Sequence, residues 1–177
     1  MNLKKAAAGI LIPAFMLAGC AESSVDTPTE TSGSVAVQET SASENNEVKQ
    51  PAPADITAAI TAEIAIPSAV EKDKDTIDYY FTVDKTQLED VSMLICGSGA
   101  FPDELVVLKM TSAEAAQEAA KAVQEHLTSQ IELYRDYTPN EFYKLEGASV
   151  NWVNNYVWLF VCSDNERATE IAETFLY

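Results

Sequence analysis

Ala148-Ser149-Val150-Asn151-Trp152-Val153-Asn154-Asn155-Tyr156-Val157-Trp158-Leu159-Phe160-Val161-Cys162 reads as two strands around a two-residue turn. Asn154-Asn155 marks the turn, because asparagine tolerates positive φ better than most residues. On the second strand, side-chain alternation puts Val157, Leu159 and Val161 on one face and Tyr156, Trp158, Phe160 and Cys162 on the other. Both faces are apolar. One can meet helices; the other carries aromatics toward solvent, a partner or another helix.

Upstream, Leu105-Val106-Val107-Leu108 is also apolar on both faces and reads as a central strand. Val91 to Cys96 reads as its hairpin partner, across the Gly/Pro-punctuated loop Gly97-Ser98-Gly99-Ala100-Phe101-Pro102-Asp103. A long helix follows, about 112–135. Thr111 and Glu114 open it at capping-box spacing, and Ala116, Ala120, Val123, Leu127, Ile131 and Tyr134 form its apolar stripe. Asp136-Tyr137-Thr138-Pro139 ends it, and Phe142-Tyr143 docks the segment beyond. Ser163 and Glu166 repeat the box before a last helix presenting Ala168, Ile171, Ala172 and Phe175.

Before the first strand, Asp55 is placed to cap a helix carrying Ile56, Ala59, Ile60 and Ile64, limited by Pro67. Glu71 to Asp75 reads as a solvated charged connection, Tyr79-Tyr80-Phe81 as a cluster under the sheet, and Asp84 to Leu88 as a short helical turn. The expected fold is α+β: a two-layer sandwich with a mainly antiparallel four-stranded sheet in ββαββα order. Its helices pack on one face, and an extra helix precedes the sheet.

The N-terminal third is different in kind. Lys4 and Lys5 precede an uncharged stretch, Ala6 to Met16, too short for a bilayer core, which needs about 20 apolar residues. Leu17-Ala18-Gly19-Cys20 closes it and resembles a bacterial lipobox. The expectation is a lipoprotein signal peptide over residues 1–19, cleavage between Gly19 and Cys20, and a diacylglycerol on the Cys20 thiol. That places the protein on the extracytoplasmic face of the cell membrane, with the bilayer as its first partner. Residues 20–54 are rich in Ser, Thr and Glu and hold no aromatic residue, a composition that cannot offset its chain entropy by burial. They read as a disordered acidic tether with a span of roughly 30 Å. Residues 55–177 form the one globular domain.

A formal net charge of −17 makes nucleic acid a poor partner, since that polyanion selects basic faces. With Cys20 lipidated, Cys96 and Cys162 remain; they read as two buried thiols, although an exported protein permits a disulfide. His126 is the only histidine, so the close array of Cys and His ligands that zinc requires is not available. No metal and no cofactor are expected. A Cys96–His126 nucleophile–base pair has no flanking signature behind it. Gly97-Ser98-Gly99 lacks the Gly-Lys-Ser/Thr ending of a phosphate loop. Asp103-Glu104 and Glu89-Asp90 are weak carboxylate pairs in so acidic a chain. No catalytic residue emerges. The remaining candidates are aromatic: Tyr134, Tyr137, Tyr143, Trp152, Tyr156 and Trp158, near the second hairpin and the end of the long helix. Such side chains either build core or anchor a partner. Tyr137, Tyr143, Tyr156 and Trp158 mark the expected binding surface.

Several stretches together resemble a known group. They are Asp55-Ile56, Pro102-Asp103-Glu104-Leu105-Val106-Val107-Leu108-Lys109, Tyr137-Thr138-Pro139-Asn140-Glu141, and Asn155-Tyr156-Val157-Trp158-Leu159-Phe160-Val161 with Ser163-Asp164. The chain is similar to the domain of unknown function 4358 family, lipoproteins mostly of Firmicutes. The resemblance implies a cell-surface lipoprotein and carries over no activity or catalytic residue. Two functional expectations stand. One is a non-enzymatic binding or interaction module whose partner is a protein or a cell-wall glycan. The other is an enzyme or enzyme accessory acting on cell-wall polymers.

Overall fold

In a computed structural model, residues 49–177 are described. Cys20, the Gly19–Cys20 junction, the expected signal peptide and residues 20–48 of the expected tether lie outside the described residues. The remainder is α+β, with four helices and an antiparallel sheet of five strands. In chain order these are α1 (Pro53–Glu63), β1 (Ala69–Lys72), β2 (Leu88–Cys96), β3 (Glu104–Met110), α2 (Ala113–Tyr137), α3 (Phe142–Glu146), β4 (Val150–Val153), β5 (Tyr156–Val161) and α4 (Asn165–Leu176). The strand order across the sheet is β1-β2-β3-β5-β4.

The doubly apolar strands explain the architecture. β3 and β5 pair at the centre, with Val106 opposite Leu159 and Val107 opposite Trp158. Val106, Leu108, Val157, Leu159 and Val161 pack beneath α2 with Ala116, Val123 and Leu127, and α3 adds Leu145. Leu105, Val107, Tyr156, Trp158 and Phe160 pack on the other face, beneath α1 and α4, with Ile56, Ile60, Ala168, Ile171 and Ala172. The sheet is thus covered on both sides, and the expectation that both later helices share one face is corrected. A strand apolar on both faces leaves half its side chains in water unless each face receives a helix. Burying residues such as Trp158 and Leu159 contributes about 1.5–3 kcal/mol apiece.

The fifth strand, β1, takes in Glu71 and Lys72 of the expected charged connection Glu71 to Asp75. β1 is an edge strand whose side chains are largely exposed, so its sequence has no apolar alternation. It is held by backbone pairing to β2, Val70 opposite Ile95 and Lys72 opposite Met93. β4 is the other edge, joined to β5 through Asn154, whose φ of 50° is the left-handed conformation the Asn-Asn turn implies. Helix α1 starts earlier than expected. Ala52 is its N-cap without a side-chain bond, Pro53 opens the helix, and Asp55 lies in the first turn instead of capping it. The domain therefore begins ahead of residue 55, and the Tyr156 hydroxyl donates to the Pro51 carbonyl at 2.8 Å.

Two capping residues are also displaced by one. Ser112, not Thr111, caps α2 and accepts from the Ala115 N–H at 3.2 Å. The Thr111 hydroxyl donates instead to the Gln87 side chain at 2.6 Å. Asp164, not Ser163, caps α4 through the Arg167 N–H at 3.0 Å. In the aromatic triplet, Phe81 is buried but Tyr79 is exposed.

Candidate functional site

The loop between β2 and β3 brings most of the buried chemistry together at one end of the sheet. Register places Ile95, Glu104 and Val161 side by side across β2, β3 and β5. Glu104 therefore projects to the α2 face, where its carboxylate meets His126 Nε2 at 2.9 and 3.0 Å. Both side chains are almost fully buried, and Phe81 stands edge-on to the imidazole with centroids 4.8 Å apart.

Asp103, one residue earlier, takes Lys144. The ammonium donates to both Asp103 oxygens at 3.0 and 2.8 Å and lies 2.6 Å from Glu141. Burial by itself favours the neutral amine, but the hydrogen bonds and charges of Asp103 and Glu141 outweigh it and hold Lys144 above the ordinary lysine range. This cluster pins α3 to the loop. The Tyr134 hydroxyl reaches the carbonyls of Gly99 and Phe101 at 3.2 and 3.3 Å. Burial first, and then the nearby Cys96 and Glu104, push the Tyr134 phenol up, so it stays a donor.

Cys96 lies against the same loop, 3.1 Å from the Ser98 hydroxyl. Burial opposes its thiolate, yet donors from the Ser98 side chain and the backbone of Ser98 and Phe101 prevail and lower the thiol below its ordinary value. Cys162 is pushed up by burial. Both cysteines are free. They sit at matching ends of β2 and β5, with β3 between. Two strand spacings are about 9–10 Å, beyond the roughly 7 Å Cα separation a disulfide tolerates. A cavity of about 230 Å³ is lined by Cys96, Asp103, Glu104, His126 and Tyr134. Cys96 and His126 thus share a cavity, but the imidazole nitrogen Nε2 is committed to Glu104 and the sulfur to Ser98. No group of three or more metal-ligating side chains occurs among the described residues.

The expected aromatic surface is divided by the fold. Tyr156 and Trp158 are core, Trp158 at 2 % exposure, so neither is available to a partner. The reason is α1 and α4, which cover the face they share. Tyr137 and Tyr143 are exposed, at 69 % and 53 %. Both belong to the C-terminal end of α2 and the short α3, and Tyr137 stands edge-on to Tyr134 with centroids 6.2 Å apart. Trp152 lies elsewhere. It is 45 % exposed on the four-residue edge strand β4. With Val150, and with Gln117, Ala120, Lys121 and Gln124 of α2, it lines an open groove of about 500 Å³. Gln124 is thirteen residues before Tyr137, about 20 Å along a helix, so the two aromatic sites are separate. The polar members of this groove recur at four and three residues along α2. Such a repeat is that of any solvated helix face; only the placement of the β4 edge beside it sets it apart.

Among the described residues, no helix is long and apolar enough to cross a membrane. No curated protein and no solved structure matches the chain. A family model, Domain of unknown function (DUF4358), matches residues 63–162, from the last residue of α1 to the residue after the final strand. Asp55-Ile56 and Ser163-Asp164 lie outside that span, as do α4 and nearly all of α1; the other stretches quoted for the resemblance lie within it. The match covers more than half of the 177 residues, and the chain belongs to the DUF4358 family.

Proposed function

We propose that this protein is a lipid-anchored binding module on the extracytoplasmic face of the cell membrane. Cys20 carries the lipid, the acidic segment behind it is the tether, and the domain meets its partner through the β4 edge. One observation carries the reading. Trp152 is left half-exposed beside a groove, while the other tryptophan is fully enclosed. Tryptophan is enriched at binding hot spots, where it fills a pocket or groove. The non-enzymatic form is supported by the buried carboxylates at the sheet end. Glu104 is engaged by His126 and Asp103 by Lys144, a pattern that orders a loop.

The test is capture in intact cells with the full-length anchored protein. A photo-crosslinking side chain at Lys121 should give a discrete adduct that is lost when Trp152→Ala is added. The same probe at Glu173, on α4, should give none. Equal capture from both positions, or from neither, would contradict the proposal.

A further inference from the structure

We infer that the groove between β4 and α2 is a saccharide site that takes a neutral glycan chain, with Trp152 as its stacking platform. The inference rests on the binding-module reading and names its ligand. Three observations carry it.

The first is chemical. The wall is an indole, and the opposite rim presents the amides of Gln117 and Gln124 with the Lys121 ammonium between them. An indole offers a flat apolar face to the C–H side of a pyranose ring. A glutamine amide supplies a carbonyl acceptor and an NH₂ donor, which matches neighbouring sugar hydroxyls that are donor and acceptor at once. Neither glutamine side chain hydrogen-bonds to another described residue, so both are free to turn to a ligand.

The second is size. Gln117 and Gln124 are seven residues apart, about 10 Å along the helix axis. Ala120 lies between them and is partly buried, so the floor stays low. That length admits a disaccharide unit of a longer chain, and the open ends let the chain run through.

The third is charge. The chain holds 28 acidic residues against 11 basic ones. The groove lining nevertheless contains no carboxylate. Of the two acids adjoining the glutamines, Glu118 is matched by Lys121 at 2.6 Å, and Glu125 lies outside the lining. A lining without carboxylates, whose one cation is paired with Glu118, fits an uncharged polymer. A polycationic peptide would find better-matched surface almost anywhere else on the domain.

Tryptophan fluorescence of the full-length lipidated protein in phosphatidylcholine nanodiscs provides the experiment. Trp158 is buried, so a ligand-induced change reports Trp152. The probes are chitotetraose, cellotetraose and deproteinised, solubilised wall glycan. At least one should give a saturable blue shift. Gln117→Ala with Gln124→Ala should weaken it tenfold or more while circular dichroism stays unchanged, and Trp152→Phe should retain binding measured by calorimetry better than Trp152→Ala. No response to any probe overturns the saccharide assignment. If the Lys121 photo-probe still captures a protein in cells, the binding-module reading survives that failure; if it captures nothing, both fall. A concentration-dependent dimer that shields Trp152 from acrylamide would also overturn the assignment, by giving the β4 edge to a second copy.

Discussion

At the scale of single residues, charge pairing decides which ionisable groups can act. Lys144 is buried against Asp103, with Glu141 closing the third side. Removing one partner of such a pair strands the other in a dry site, which costs about 3–5 kcal/mol. Lys144→Ala should therefore lower the unfolding free energy obtained from urea melts by that amount, with the midpoint falling in proportion. Replacing both groups by apolar side chains of similar volume, Asp103→Leu with Lys144→Met, should restore most of the loss. A double variant as unstable as the single one would show that the lysine stem, and not its charge, holds α3. None of this was visible in the chain, where Asp103-Glu104 looked like one weak carboxylate pair among many. Burial and partner are set by β3 register and by α3, a five-residue helix too short to leave a periodic signal. Trp158 is the opposite case. Its alternation with Leu159 was plain, but which face would be enclosed depended on where two distant helices came to rest.

Elements were legible wherever burial imposes a period. β3, β5, α2 and α4 all have apolar stripes, and each was placed within two or three residues. β1 escaped because a water-exposed edge strand is held by backbone bonds that have no side-chain signature. Caps slipped for a local reason. Thr111-Ser112 and Ser163-Asp164 each offer two competent cap residues in succession, and box spacing favoured the first of each pair. Tertiary contact decided at least one of them, because Gln87 takes the Thr111 hydroxyl. Ser112→Ala and Asp164→Ala should each cost about 1 kcal/mol. Ser163→Ala should cost only a few tenths, as surface substitutions away from such features do. Thermal melts that rank Ser163→Ala above Asp164→Ala would contradict the assigned caps. Acid should act on the same small devices. The Thr86 hydroxyl and N–H hold the Asp84 carboxylate below its ordinary value. Its contribution is then present above the unfolded carboxylate pKa of about 4, and is lost as pH falls through the lower folded value.

For the whole molecule, two features shape the reading: a sheet enclosed on both faces, and a polar segment that follows Cys20. The family match spans the sheet and α2, and so includes both the Glu104–His126 pair and the Trp152 groove. It leaves most of α1 and all of α4 outside, although these cover one full face of the core. A sheet apolar on both sides needs that cover, so truncation to residues 63–162 should expose Trp158 and Phe160 and cost solubility. The most direct measurement bears on the anchor, because a surface binding module must first be held at the surface. Cells should be fed a clickable fatty acid and the protein recovered under denaturing conditions. Label on the wild-type chain and none on Cys20→Ala is the predicted result. An unlabelled wild type, or a fully labelled Cys20→Ala, would contradict it.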